Sequence, residues 1–310
     1  MKKVLVTGAT GFIGRHTLAP LTDAGFEVHA VTSKIPVNLT DVHAQCCWHT
    51  MNLLEPMQVK NLVSIIKPTH LLHFAWYNIP GKCLVAEENF LWVQASLELL
   101  RHFGEQGGER VVMAGSALEY DWNYGYCSEV LTPRNPHTTY GICKNALQEM
   151  LKAYAEITNL SSAWGRVFNV YGPFDHPKRL VSSVIFSLLH SKTALCSHGN
   201  QLRDYLYVED VANAFVSLLE SNIVGEINIA SGKPVAVKEI VLKIAEKLGK
   251  PDLVKLGALL TSADEPPLFA AKIVRLSEDL FFVPENNLDM GLEKTINWCS
   301  QRNANLTQNY

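Results

Sequence analysis

Short apolar runs alternate with longer stretches of helical period from the start of the chain. Lys3 to Thr7 reads as a strand, about Gly11 to Ala24 as a helix, and Glu27 to Thr32 as a second strand, a βαβ rhythm. The rhythm continues with a strand near Trp48, a helix over Pro56 to Ile66, a strand over Thr69 to Phe74, a helix near Asn89 to Phe103 and a strand over Arg110 to Ala114. Such alternation predicts an α/β fold, a parallel sheet with helices on both faces. After a strand over Ser162 to Val170 the spacing becomes irregular and prolines accumulate, at Pro173, Pro177, Pro234, Pro251, Pro266, Pro267 and Pro284, which predicts a smaller second domain. Within that half, Asp204 to Leu219 reads as a capped helix and Glu226 to Ala230 as a buried strand, both returning to the sheet. The expected division is 1–165 with about 203–230 in the first domain, and 166–202 with 231–310 in the second. The tail after Trp298, rich in Asn and Gln, is expected to fray.

With 310 residues, 47% of them hydrophobic, the chain can bury a large core. Its 27 Lys and Arg against 30 Asp and Glu give a net charge of −3, with no basic run dense enough to follow a phosphate backbone, so nucleic acid is not an expected partner. The seven cysteines form no Cys-x-x-Cys pair, which suggests reduced thiols. Thr7-Gly8 interrupts the first apolar run far short of a secretory segment, and serines break the run Leu180 to Leu189 well below the ~20 residues that span a bilayer. A cytoplasmic protein without membrane contact is the expectation. His70-x-x-His73 offers the closest metal-like spacing, but i and i+3 on a strand face opposite ways, so no metal site is predicted.

Candidate chemistry begins at Thr7-Gly8-Ala9-Thr10-Gly11-Phe12-Ile13-Gly14, which follows the first strand and opens the first helix. In that context Gly8 permits a tight turn, Gly11 admits a pyrophosphate close to the backbone, and Gly14 allows close packing at a positive helix N-terminus. An NAD site would carry a carboxylate at the end of the second strand. Here the strand ends Val31-Thr32-Ser33-Lys34, and hydroxyls plus an ammonium suit a 2′-phosphate, with Arg15 able to add charge. NADP(H) is therefore favoured over NAD(H), with NAD(H) left open.

Tyr140 and Lys144 are four residues apart, so on a helix they share a face. An ammonium there is expected to lower the phenol's pKa, letting Tyr140 exchange a proton with an alcohol or carbonyl. Ser116 closes the apolar strand Val111-Val112-Met113-Ala114 at the carboxyl end of the sheet, where its hydroxyl could polarise a substrate oxygen.

With these motifs, and with Leu72-His73-Phe74-Ala75-Trp76, Arg166-Val167-Phe168-Asn169-Val170-Tyr171-Gly172-Pro173 and Arg203-Asp204-Tyr205 through Ala212, the sequence resembles the extended short-chain dehydrogenase/reductase family, also called the NAD-dependent epimerase/dehydratase family. The resemblance covers nearly the whole chain. It implies a Rossmann-type doubly wound sheet that binds the dinucleotide, a C-terminal domain that binds a sugar-nucleotide, and a homodimer built on the helices near Asn89 to Phe103 and Thr139 to Ile157. It implies Ser116, Tyr140 and Lys144 as the catalytic set, with Lys144 also on the nicotinamide ribose, Phe74 and Ala75 beside the cofactor, Asn169 on the substrate and Arg203 on its diphosphate. Phe12, Ile13, Asn52 and Leu53 complete the cofactor candidates. Asn89 reads equally as a helix cap or an active-site structural residue, and Trp122, Tyr124 and Tyr126 equally as pocket aromatics or loop packing. One departure concerns Thr261 to Pro266, which lacks the arginine that related enzymes often use as a second diphosphate ligand.

Sugar-nucleotide 4,6-dehydratases carry Asp-Glu directly after the catalytic hydroxyl, whereas this chain has Ala117-Leu118. Glu119, one position later on a strand-like segment, is expected to point the wrong way, so dehydration is disfavoured. Reduction of a 4-keto-6-deoxy sugar-nucleotide at C4 is the leading expectation. A 4-epimerase is the alternative, and a non-catalytic dinucleotide-sensing module the remote one.

Overall fold

The computed structural model describes residues 2–33, 45–261 and 265–307. Among these, seven strands form one parallel sheet: β1 (Lys3–Thr7), β2 (Glu27–Thr32), β3 (Cys47–Thr50), β4 (His70–His73), β5 (Arg110–Ser116), β6 (Ser161–Val167) and β7 (Gly225–Ile229). Their spatial order is β7-β6-β5-β4-β1-β2-β3. The chain leaves β1 toward β2 on one side and returns to β4 on the other. That reversal opens a crevice at the carboxyl ends of β1 and β4.

The main helices are α1 (Gly14–Asp23), α2 (Pro56–Ile66), α3 (Glu88–Glu105), α4 (Thr139–Thr158), α5 (Leu180–Leu189), α6 (Val208–Glu220), α7 (Val237–Lys247) and α8 (Leu288–Thr307). Strand alternation sends Val4, Val6, Leu72 and Val112 to one face, where Leu18 and Leu21 of α1 and Phe215 and Leu218 of α6 cover them. Leu5, Leu71, Val111 and Met113 face the other side, against Val59 and Val63 of α2, Leu99 and Phe103 of α3 and Leu147 of α4. A separate core joins α5, α7 and α8 through Ile185, Leu188, Ile240, Ile244, Leu292 and Ile296. Two small sheets link the units: Tyr205–Tyr207 pairs with Asn169–Tyr171, and a four-stranded sheet runs Val235–Ala236, Leu202–Arg203, Leu268–Ala271, Tyr126–Cys127.

Several boundaries differ from the sequence reading. The first helix starts at Gly14 rather than Gly11, because Gly8 takes a φ of 66° and its carbonyl accepts the Gly11 N–H at 2.8 Å, closing a turn first. The strand expected over Ser162 to Val170 breaks at Phe168: its N–H still bonds the Ile229 carbonyl at the end of β7 at 3.3 Å, but the Asn169 N–H turns to the Asp204 carbonyl at 3.2 Å, and the chain continues in a different sheet. Asp204 does not cap a helix. It sits fully buried before a strand, accepting from Ser231 N at 2.8 Å, Ser231 Oγ at 2.6 Å and Gly232 N at 2.9 Å, and α6 begins only at Val208. The tail does not fray at Trp298, since α8 runs on to Thr307. His70 and His73 form no metal site: His73 is enclosed between Thr7 Oγ1 at 2.7 Å and Ser96 Oγ at 2.9 Å, and burial pulls its pKa down to about 3, so it is neutral.

Candidate active site

A cleft of ≈ 730 Å³ opens at the carboxyl ends of β1, β4 and β5, within the usual size of a small-molecule site. Its walls combine Gly8, Gly11, Phe12, Ile13, Gly14, Phe74 and Ala75 with Ser116, Tyr140, Lys144, Asn169 and Arg203. These residues are far apart in sequence, and the sheet reversal brings them together.

The glycine loop is bare backbone for a physical reason. A Cβ on Gly8 would stand 2.8 Å from the Ala75 nitrogen, one on Gly11 2.9 Å from the Gly8 carbonyl oxygen, and one on Gly14 would collide with that same oxygen. The loop therefore packs against the end of β4 and presents the N-terminus of α1 to the cleft, an arrangement that fits a pyrophosphate. The described candidates at the end of β2 lie outside the cleft. Thr32 is buried and shares a hydrogen bond of 3.2 Å with Thr10 Oγ1, Ser33 is exposed at the end of β2, and neither lines the cleft. Lys34 lies outside the described residues. Asn52 is exposed and accepts the Leu54 N–H at 3.1 Å, while Leu53 is buried in the core beneath α2, so neither reaches the cleft. Arg15 donates to the Thr10 carbonyl at 2.8 Å and stacks 3.9 Å from the Phe174 ring centroid.

Thr138 caps α4 by accepting the Gly141 N–H at 3.1 Å, which fixes Tyr140 and Lys144 one turn apart on the helix's first face. Lys144 donates to the Ala114 carbonyl on β5 at 2.8 Å, and its ammonium lies 3.8 Å from the Trp76 ring centroid. The Ser116 side chain faces the Tyr140 phenol and favours its ionised form, against the larger effect of burial. Trp76 also meets the Tyr140 ring edge-to-face at 6.3 Å. The indole N–H of Trp76 donates to Asn89 Oδ1 at 2.8 Å, and Asn89 donates onward to the carbonyls of Cys83 at 2.7 Å and Ala86 at 2.8 Å. Asn89 is thus no cap: α3 starts one residue earlier, and the fully buried amide holds Trp76 and the loop before α3 together.

The electrostatics differ from the expectation that Lys144 acidifies Tyr140. Burial dominates both groups, raising the phenol above its ordinary range and pulling the ammonium down to about 7, with the Glu119 carboxylate opposing the second shift. Desolvation penalises each charged form more than the neighbour rewards it. Both shifts favour the neutral form of the group concerned.

Glu119 points away from the cleft, but not for the reason its spacing suggested. Ala117–Glu119 is a 3-10 turn, not a strand, and the carboxylate folds back under Ser116 to accept its backbone N–H at 2.6 Å. There it also accepts from Trp164 Nε1 at 3.0 Å and Arg166 Nε at 2.7 Å, a pair with both side chains at 0% exposure. Trp122 does line the cleft, stacked on His137 at 5.3 Å, whereas Tyr124 and Tyr126 are exposed and do not.

The sequence reading missed Arg179 and Glu265, which also line the cleft. Arg179 reaches Asn78 Oδ1 at 3.3 Å and Asp175 Oδ1 at 3.5 Å; burial pushes the Asp175 carboxyl up to about 6. Glu265 pairs with Arg203 at 2.8 Å. Asn169 spends its amide on the Asp204 carbonyl at 3.1 Å, leaving its oxygen toward other partners. Apart from Asp175 and Arg179, four residues apart, these partners are distant along the chain.

The NAD dependent epimerase/dehydratase family matches residues 4–230. The chain belongs to this family. The dTDP-glucose 4,6-dehydratase of Neisseria meningitidis is 25% identical over 96% of this chain and 93% of its own. Among solved structures, MoeE5 in complex with UDP-glucose and NAD is 28% identical with a TM-score of 0.83, covering 97% of this chain and 99% of its own. The Thermus thermophilus UDP-glucose 4-epimerase in complex with NAD is 24% identical, with a TM-score of 0.84 over 96% of this chain and 98% of its own, a likeness of fold. As a family member the chain carries an NAD-type dinucleotide site in a Rossmann-type sheet. Among the described residues no helix is long and apolar enough to cross a membrane.

Proposed function

We propose that the protein is an NAD(P)-dependent oxidoreductase that reduces the C4 ketone of a 4-keto-6-deoxy sugar-nucleotide. The observation that carries this reading is geometric: Ser116, Tyr140 and Lys144 converge on one cleft in which Ala117 and Leu118, rather than an acid and a base, follow the Ser116 hydroxyl. A protonated phenol is equipped to donate, and a nascent alkoxide at C4 requires a proton.

Gly8, Gly11, Phe12, Ile13, Gly14, Phe74 and Ala75 would hold a nicotinamide dinucleotide, and Lys144 its ribose. When bound, that group supplies hydride to the substrate carbon. Ser116 Oγ steadies the substrate oxygen, Tyr140 delivers the proton, and Lys144, packed on Trp76, holds its ammonium beside them. Asn169 and Arg203 bind the substrate, the latter at the diphosphate. The missing strand-end carboxylate supports NADP(H) over NAD(H), although MoeE5 and the Thermus epimerase are described with NAD. Residues 1–165 and about 203–230 would form the cofactor domain and 166–202 with 231–310 the substrate domain. Exposed Phe90, Leu91, Ile142, Met150 and Ile157 on α3 and α4 support a homodimer through those helices.

A second reading, C4 epimerisation with retained NAD, is favoured by the epimerases among the solved neighbours. Both use the same side chains. NADPH consumption by the purified protein with a 4-keto-6-deoxy sugar-nucleotide supports reduction. Inversion of UDP-glucose or dTDP-glucose without net cofactor turnover, and no NADPH consumption, overturns it.

A further inference from the structure

Arg203 is 8% exposed and its guanidinium is already engaged: Nη1 donates to the Leu202 carbonyl at 2.8 Å and Nη2 to Glu265 Oε1 at 2.8 Å. Glu265 does not hang loosely on that contact. The Gln201 amide donates to the same oxygen at 3.3 Å, and Leu202 and Arg203 run parallel to the Leu268–Ala271 strand that follows Glu265, paired Leu202 to Leu268 and Arg203 to Phe269. Both Arg203 and Glu265 line the cleft.

A carboxylate and a phosphate are both pure acceptors for a guanidinium, and they repel each other when they share a small cavity. A phosphate arriving at Arg203 therefore meets its competitor in place. A buried cation has to stay paired, so exchange of one anion for the other is permitted, while a neutral ligand has nothing to offer in exchange.

We propose that Glu265 is a specificity-determining residue that occupies the Arg203 guanidinium until a substrate diphosphate displaces it. This rests on the reading of Arg203 as the diphosphate ligand, and deepens it. The carboxylate weakens every diphosphate ester, and it excludes ligands without enough charge to take its place.

The test is the dissociation constant of UDP-glucose and of dTDP-glucose, by titration calorimetry, for the full chain and its Glu265→Gln, Arg203→Gln and doubly substituted forms. Glu265→Gln is expected to tighten at least one probe by about five-fold or more, equivalent to about 1 kcal/mol. In the Arg203→Gln background the same substitution is expected to change nothing, because the competition has been removed. Equal or weaker binding by Glu265→Gln overturns the proposal, as does tightening that persists without Arg203. Glu265→Ala repeats the measurement without the amide, and a loss there alone with a gain in Glu265→Gln still supports displacement. Arg203→Gln binding as tightly as the unsubstituted chain, or no binding of either probe by any form, sinks the diphosphate reading itself. Weakened Arg203→Gln beside an unchanged Glu265→Gln sinks only the role of Glu265.

Discussion

The carboxylate of Glu119 accepts the backbone N–H of Ser116 at 2.6 Å while its other oxygen accepts from Arg166 Nε at 2.7 Å. One buried ion pair thus forms the floor beneath the proposed catalytic hydroxyl. Removing one partner of such a pair costs about 3–5 kcal/mol, because the other is left charged and buried. Glu119→Leu should lose about 3 kcal/mol or more of stability on this ground, read by urea unfolding. A loss below about 1 kcal/mol would mean that Tyr120 and Glu226, which also face Arg166, suffice to hold it.

Asn89 joins three groups, the Trp76 indole and the Cys83 and Ala86 carbonyls. Asn89→Ala is expected to cost about 2 kcal/mol, as buried polar groups are stranded, and to reduce turnover through displacement of Trp76 from Lys144. Unfolding curves and steady-state rates together check this, and unchanged turnover at reduced stability would confine Asn89 to the scaffold.

Burial holds Lys144 at about 7 in the folded chain against about 10.4 in the unfolded one. Below about pH 7 both states carry the charge and the full burial penalty applies; between about pH 7 and pH 10 the unfolded chain binds more protons, so stability rises with pH. Lys144→Met removes the penalty. Its gain in Tm over the unsubstituted chain should therefore be larger at about pH 6 than at about pH 9.5. Equal gains at both would show that the ammonium is not desolvated.

For cofactor choice, the prediction comes from sequence. Lys34→Ala should weaken NADPH more than NADH in fluorescence titrations, because a 2′-phosphate loses a charge partner that a 2′-hydroxyl never used. Equal losses for both would remove the argument for NADP(H).

What the sequence disclosed was local. Gly8, Gly11 and Gly14 announce their backbone demands in their spacing, Tyr140 and Lys144 announce a shared helix face, and the strand pattern leads to the cleft edge where Ser116 lies. The hidden features depend on partners distant along the chain. Glu119 meets Arg166 only after β5 and β6 pair, Asn89 meets Trp76 across a loop, and Glu265 meets Arg203 through a strand pairing in the second half. The pKa expectation failed for a related reason: a four-residue spacing reveals that an ammonium is near, but not that the fold dehydrates phenol and ammonium together. Asn169 and Asp204 interrupted their predicted elements because tertiary hydrogen bonds outweighed local pattern.

In the proposed reduction the Tyr140 phenol delivers the proton. The most direct measurement pairs the rate of NADPH oxidation with a 4-keto-6-deoxy sugar-nucleotide against NADPH affinity in Tyr140→Phe. A fall in kcat of about 100-fold or more is expected, with cofactor affinity within about two-fold of the unsubstituted chain, since only the hydroxyl is lost. Turnover retained in Tyr140→Phe would contradict it.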